Sequence, residues 1–265
     1  MFPLYSATFP RTAAELESLL NQSVQRVFSR TTQPVTVREK EYPALAEIRI
    51  SLDGAELRDD APRRPAVEGV RKPALKVDEL HVTGSGLTIG PATANLVLRA
   101  EQVGLNQAAD RNGEIVLLLQ NASNGTIEIA TSKRDLERAI AAFAKAEAGK
   151  HGVVIDDVKL TFRQRGARSV DAEVQLRGKK LFFSTVIRIA ASLDLDDDLN
   201  AKLSRLTCNG DGAIGSLACG VLAPHLQKLD GRTFALMALP LGEIRLRDVT
   251  LATGEMLKVS AEFGA

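Results

Sequence analysis

The sequence predicts an α+β protein: a long, mainly antiparallel sheet with one dry face, wrapped around two amphipathic helices. Three observations point there. Period-two alternation of apolar and polar residues recurs along most of the 265 residues. Helical periodicity is confined to two long segments and a short third one. Continuous apolar strands with a helix after each, the mark of a parallel sheet, are missing.

Thr12 to Arg30 reads as the first helix. Leu16, Leu19, Leu20, Val24, Val27 and Phe28 share a face, Thr12 is the N-cap, and Glu15 completes a capping box. Ile48, Ile50 and Leu52 then alternate with Arg49 and Ser51 up to a turn at Asp53-Gly54. Asp59 to Lys76 holds Pro62, Pro65 and Pro73 among Arg63, Arg64, Arg71 and Lys72, and reads as a loop or broken sheet edge, not a central strand. Val77 to Ile89 resumes β character, with Gly84-Ser85-Gly86 as a turn or bulge. Leu96, Leu98 and Ala100 alternate with Asn95, Val97 and Arg99, Asp110 to Gly113 is a turn, and Ile115 to Leu119 is a strand. Asn121-Ala122-Ser123-Asn124-Gly125 signals a hairpin returning through Ile127 and Ile129.

The second helix starts at the N-cap Ser132 with Asp135 at N3, carries Leu136, Ile140 and Phe143 on its apolar stripe, and stops at Gly149. Val154, Val158, Leu160 and Phe162 then share a face, opposite Lys159, Arg163 and Arg165. Val170, Ala172, Val174 and Leu176 follow, Gly178-Lys179 turns the chain, and Phe183, Ile187, Ile189, Leu193 and Leu195 line one side of a long strand. A short third helical segment covers Ile214 to Leu229, and Leu257, Val259, Ala261 and Phe263 form a last alternating strand. Helix then strands, repeated, suggests one domain over 1–265 with two halves, about 1–130 and 131–265.

Charge is balanced, 34 Lys+Arg against 33 Asp+Glu, which argues against a nucleic-acid partner. Aromatic content of 4% with no Trp leaves no stacking platform for bases or sugars. No stretch is long and apolar enough to span a bilayer. The start shows no signal peptide, so the compartment is cytoplasmic for a complete chain and periplasmic or cell-envelope if a leader has been removed. Cys208 and Cys219 read either as buried free thiols or as a disulfide closing a small loop.

Motifs for chemistry are weak. Gly210-Asp211-Gly212-Ala213-Ile214-Gly215 spells a dinucleotide loop, but Lys202, Ser204 and Arg205 precede it and Pro224 interrupts the segment after it, so a glycine-rich turn entering a helix is expected. Asp194-Leu195-Asp196-Asp197-Asp198-Leu199-Asn200 lacks the glycine and glutamate of a calcium loop. His81, His151 and His225 lie in separate neighbourhoods, and neither a nucleophile elbow nor a catalytic context for Cys219 is present. No catalytic residue, metal site or cofactor is expected. Two basic clusters, Arg63, Arg64, Arg71, Lys72 and Lys76, and Arg163, Arg165, Arg168, Arg177, Lys179 and Lys180, are solvated sheet edges or a contact for an anionic membrane surface.

Leu239-Pro240-Leu241-Gly242-Glu243-Ile244-Arg245-Leu246-Arg247-Asp248-Val249, with Gly254 and Leu257-Lys258-Val259, resembles the ending of the LmeA-like bacterial lipid-binding family. Thr131 to Leu136, Val82 to Leu87 and Val103-Gly104-Leu105 resemble its central helix start and early strands. The resemblance implies a strongly curved, tubular (TULIP-like) sheet wrapped along a long helix, with an apolar groove and no catalytic residues. The expected function is non-enzymatic binding or transfer of a lipid or other long apolar ligand, with Leu136, Ile140 and Phe143 as groove wall. The alternative is a structural or protein-interaction module with a filled core.

Overall fold

The computed structural model describes residues 2–62, 65–149, 153–180, 183–235 and 246–265. In chain order the elements are β1 (Phe2–Pro3), α1 (Ala13–Val27), β2 (Phe28–Ser29), β3 (Val35–Glu41), β4 (Ala44–Ser51), β5 (Glu56–Leu57), β6 (Val67–Ile89), β7 (Ala92–Asp110), β8 (Ile115–Asn121), β9 (Asn124–Ser132), α2 (Lys133–Gly149), β10 (Val154–Gly166), β11 (Ser169–Lys180), β12 (Phe183–Leu195), β13 (Asn200–Gly210), α3 (Gly212–Leu229), β14 (Thr233–Ala235), β15 (Leu246–Ala252) and β16 (Met256–Phe263).

The strands form two sheets. The first runs β15-β16-β9-β7-β6-β4-β3, with β1, β2, β5 and β8 at its margins; the second runs β10 to β14 in chain order. Pairing is antiparallel except where β6 meets β4 and β5. The expected architecture is therefore corrected: the sheets are not strongly curled, and among the described residues no long amphipathic helix is wrapped by them. Alternation shows that a strand has one dry face; it says nothing of how far a sheet rolls. Length decides the point. The longest helix, α3, has 18 residues and spans about 27 Å, whereas the 23 residues of β6 reach roughly 75 Å.

One core joins most of the molecule. Leu16, Leu20 and Val24 of α1 pack with Ile48, Ile50, Leu80, Val82, Leu98 and Phe263 of the first sheet. Val170, Leu195, Leu199 and Ala201, at one end of the second sheet, belong to the same core. That end is tied to β15 by Leu251 N–H donating to Ala167 O (2.6 Å) and Arg168 Nε donating to Val249 O (3.1 Å). A separate, smaller cluster lies beneath α2 and α3.

Both expected helix starts are present. Thr12 Oγ1 accepts from Glu15 N–H (3.2 Å), and Ser132 Oγ accepts from Asp135 N–H (3.0 Å). Other expectations change. Of the two readings of Asp59 to Lys76, the broken sheet edge holds from Val67 on, where the chain is strand and not loop. Over 67–75, β6 is paired with β7 while its pairing to β4 starts only at Lys76, and such a one-sided stretch tolerates Pro73. Asn121 to Gly125 is no hairpin: β8 and β9 both run antiparallel to β7, one after the other along the same strand. The chain jogs there, opposite Gln102, whose φ of 49° interrupts β7. A register shift between Ile155 and Asp157 puts Ile155, not Val154, on the dry face. Strand β11 continues through Gly178-Lys179 to Lys180. The third helical segment, expected over Ile214 to Leu229, runs from Gly212 to Leu229 and is no shorter than the other two described helices.

Candidate functional site

The second sheet carries an apolar face formed by Ile155, Val158, Leu176 and Ile187, with Val174 and Ile189 half-buried beside them. Two helices lie on this face: α2 sits over β10, and α3 sits over β12 and β13. From α2, Ile140, Ala141, Ala144 and Ala148 point at it; from α3, Ala218, Cys219 and Leu222 do. Packing is thin, because Ala139 is the buried residue of α2 and Gly215 that of α3. Of the expected wall residues, Leu136 and Ile140 are half-buried and only Ile140 joins the cluster; Phe143 is 67% exposed. The inward face of α2 is mostly alanine, which an eye set for large apolar residues passes over. Glu137, one turn before Ala141 on the same helix, accepts from Leu160 N–H of β10 (2.9 Å).

The glycine-rich motif forms the corner that seats α3. Gly212 has φ +69°, which suits glycine. Asp211 accepts from both terminal nitrogens of Arg188 (2.7 and 3.3 Å), tying the helix start to β12. A disulfide joins Cys208 on β13 to Cys219 on α3, settling the alternative left open by the sequence. At the far end, Asp230 Oδ1 accepts from Leu206 N–H (3.2 Å). The helix is thus pinned at both ends while its outward face stays bare: Ile214, Leu217 and Val221 are 38%, 74% and 51% exposed.

The opposite face of the second sheet is polar and internally paired. Arg165 bridges Asp171 and Asp194 (both 2.8 Å), Ser192 donates to Asp171 (2.6 Å), and Ser169 donates to Asp194 (2.6 Å). These hydroxyls first, then Arg165, hold both carboxyls below their ordinary range. Arg168 pairs with Asp197 and Lys179 with Asp156, so much of that basic cluster is spent on acids of the chain itself. Asp196 accepts from the N–H groups of Asp198 and Asn200 (2.9 and 2.8 Å), closing the acidic loop as a turn. Arg63, Arg64, His151 and residues 239–245 lie outside the described residues.

A second site stands on the wet face of the first sheet. Across β4, β6, β7 and β9, Glu47, Glu79, Glu101 and Asn124 are in register, and Arg49, His81, Arg99 and Thr126 form the adjacent row. A solvent-open pocket of about 590 Å³ is lined by Arg49, Glu79, His81, Arg99, Glu101 and Thr126, among others. Glu47, in contact with Arg49 and His81 of that lining, stands beside the pocket with a side chain only 9% exposed. Arg49 donates to Glu47 Oε1 through Nη2 (2.6 Å) and Nε (3.1 Å), Arg38 Nε is 3.4 Å from Oε2, and His81 Nδ1 is 3.4 Å from Oε1. Burial pushes the Glu47 carboxyl up, but Arg49, with Arg38 and His81, outweighs it and holds the group below the usual carboxylate range. One ligand atom from each of Glu47, Glu79 and His81 lies within 4.8 Å of the others. Sequence reasoning missed this site. Its signal is three triplets, Glu47-Ile48-Arg49, Glu79-Leu80-His81 and Arg99-Ala100-Glu101, each with a buried apolar centre.

Compared with protein-family models, curated proteins and solved structures, the chain has no match.

Proposed function

We propose that this chain is a non-enzymatic binder of a lipid, whose acyl chain lies in the seam between α2 and α3 over the second sheet. The observation that carries this reading is the incomplete cover of that sheet's apolar face. Val174 and Ile189 are only half-buried, and the facing side chains of α2 are chiefly alanines. A seam lined this way offers aliphatic surface and no stacking ring, which suits a hydrocarbon tail. Each methylene removed from water contributes about 0.8 kcal/mol, so a tail of moderate length suffices without any specific polar contact. The family resemblance read from the sequence favours the same ligand class.

Native mass spectrometry and organic extraction of the purified protein test it directly. A co-purifying lipid, or a rise in melting temperature with added phospholipid that Ala144→Glu abolishes, is the expected result. No apolar ligand by extraction and no shift with any lipid would sink the reading. The bare outward face of α3 favours a second reading, a protein-interaction module with a filled core. That reading predicts no extractable lipid and a protein partner that fails to bind the Leu217→Ser variant.

A further inference from the structure

We propose that Glu47, Glu79 and His81 bind one first-row divalent cation, with zinc the best match, at the side of the pocket on the first sheet that Glu79 and His81 line. The site is independent of the lipid seam. Its donors, one imidazole nitrogen and two carboxylate oxygens, are of the kind zinc selects, and three protein ligands with an open position toward solvent are a familiar set for that ion. The spacing fits. Ligands about 2.0–2.1 Å from a tetrahedral ion lie roughly 3.4 Å from one another, and His81 Nδ1 stands 3.4 Å from Glu47 Oε1. The third donor, Glu79, is exposed, makes no hydrogen bond or ion pair among the described residues, and comes within range by a rotation of its side chain.

Backbone register makes the cluster rigid. Glu47 and Glu79 are direct partners on parallel β4 and β6, and His81 is the next residue of β6 on the same face. Glu101 extends the acidic row on β7. Like charges placed directly opposite in a sheet repel, and a cation between them removes that cost. On β3 the sign alternates, with Arg38 facing Glu47, but across β4, β6 and β7 it is constant and changes along the strands instead. Arg38, 3.4 Å from Oε2, holds the Glu47 carboxylate through its other oxygen, as a group behind a metal ligand does. Arg49 occupies Oε1, the oxygen that faces His81, through two hydrogen bonds, so an ion binding there has to displace this 58% exposed side chain toward solvent. A dissociable site is therefore expected, not a permanently loaded one. Its open coordination position faces the pocket, where Arg99 and Thr126 flank any water or small anion that completes the shell.

The full chain, dialysed against a chelator, is titrated with zinc by calorimetry and with cobalt by visible absorption. The expected result is one ion per chain and a cobalt spectrum of four- or five-coordinate type. His81→Ala and Glu79→Gln, both surface changes, are expected to weaken binding by about tenfold or more, while Glu101→Gln changes it by less than about twofold. Circular dichroism confirms that each variant is folded. No zinc uptake, several ions per chain, or binding indifferent to His81→Ala and Glu79→Gln would overturn the proposal.

Discussion

Gly210 and Gly215 meet backbone to backbone: a Cβ on Gly210 would fall 2.1 Å from the Gly215 carbonyl group, and one on Gly215 would fall 2.6 Å from Gly210. The glycines of the apparent nucleotide motif are thus required by the approach of α3 to the end of β13. Gly215→Ala is expected to destabilise the protein by about 1–3 kcal/mol, because neither backbone can move aside. Gly220, in the same helix, is different: a Cβ there would meet no neighbour within 4 Å. Gly220→Ala is expected to stabilise by about 0.5–1 kcal/mol through helix propensity. Urea denaturation of the pair of variants checks both signs.

Removing the Cys208–Cys219 bridge frees α3 from β13. The double Cys→Ser variant is expected to lose about 2–3 kcal/mol, the value for a short closed loop. Iodoacetamide labelling followed by mass spectrometry should modify neither cysteine before reduction and both after it. Labelling of the native, unreduced protein would contradict the pairing.

Tyr42 donates its hydroxyl to Pro10 O (2.7 Å), and burial, with Glu15 nearby, pushes its pKa up to about 12. A phenol whose folded value exceeds the unfolded 10.0 stabilises fully below pH 10, and that contribution fades as pH rises toward 12. Tyr42→Phe should cost about 1 kcal/mol at neutral pH for the lost hydrogen bond. It should also flatten the alkaline fall in urea midpoint between those two pH values.

Acid acts on the other side. Asp171 and Asp194, held low by Ser192 and Ser169 and then by Arg165, contribute stability that is complete above their ordinary value of 3.8 and is lost as pH falls through their lowered folded values. Arg165→Met should lower the urea midpoint at pH 7 and reduce its dependence on pH below 4. An unchanged acid profile would show that the pairs contribute nothing.

Phe143 and Ile140 share a helix but not a fate. Phe143→Ser should change stability by less than about 0.5 kcal/mol, as an exposed position does. Ile140→Ala should cost roughly 1–2 kcal/mol, part of the loss for a fully buried site.

What the sequence made legible was local. The caps Thr12 and Ser132, the turn at Gly54 and the bulge at Gly86 follow from side chains acting on their own backbone, and all are present. What it concealed was long-range. Asn121 to Gly125 has hairpin composition, yet β7 is long enough to hold both β8 and β9, so the chain need not reverse. Alternation put Val154 inside, and one unpaired residue moved it out. The carboxylate row exists only because Glu47, Glu79 and Glu101 fall in register on three strands, which no single stretch of chain discloses. Of the α2 residues that pack on the second sheet, Ile140 was legible from helical spacing; the alanines beside it were not, because alanine carries little hydrophobic signal of its own.

The pairing of Ser132 with Met256 bears on the order of assembly. On a nascent chain, β9 emerges long before β16, and the whole second sheet is synthesised between them. Until β16 arrives, one flank of β9 is an unsaturated template. The second sheet closes from strands consecutive in sequence and has no such wait. A cell making this protein therefore holds an insert with its own strands already paired beside an unfinished host, and the moment most exposed to edge-to-edge misassembly falls late in translation.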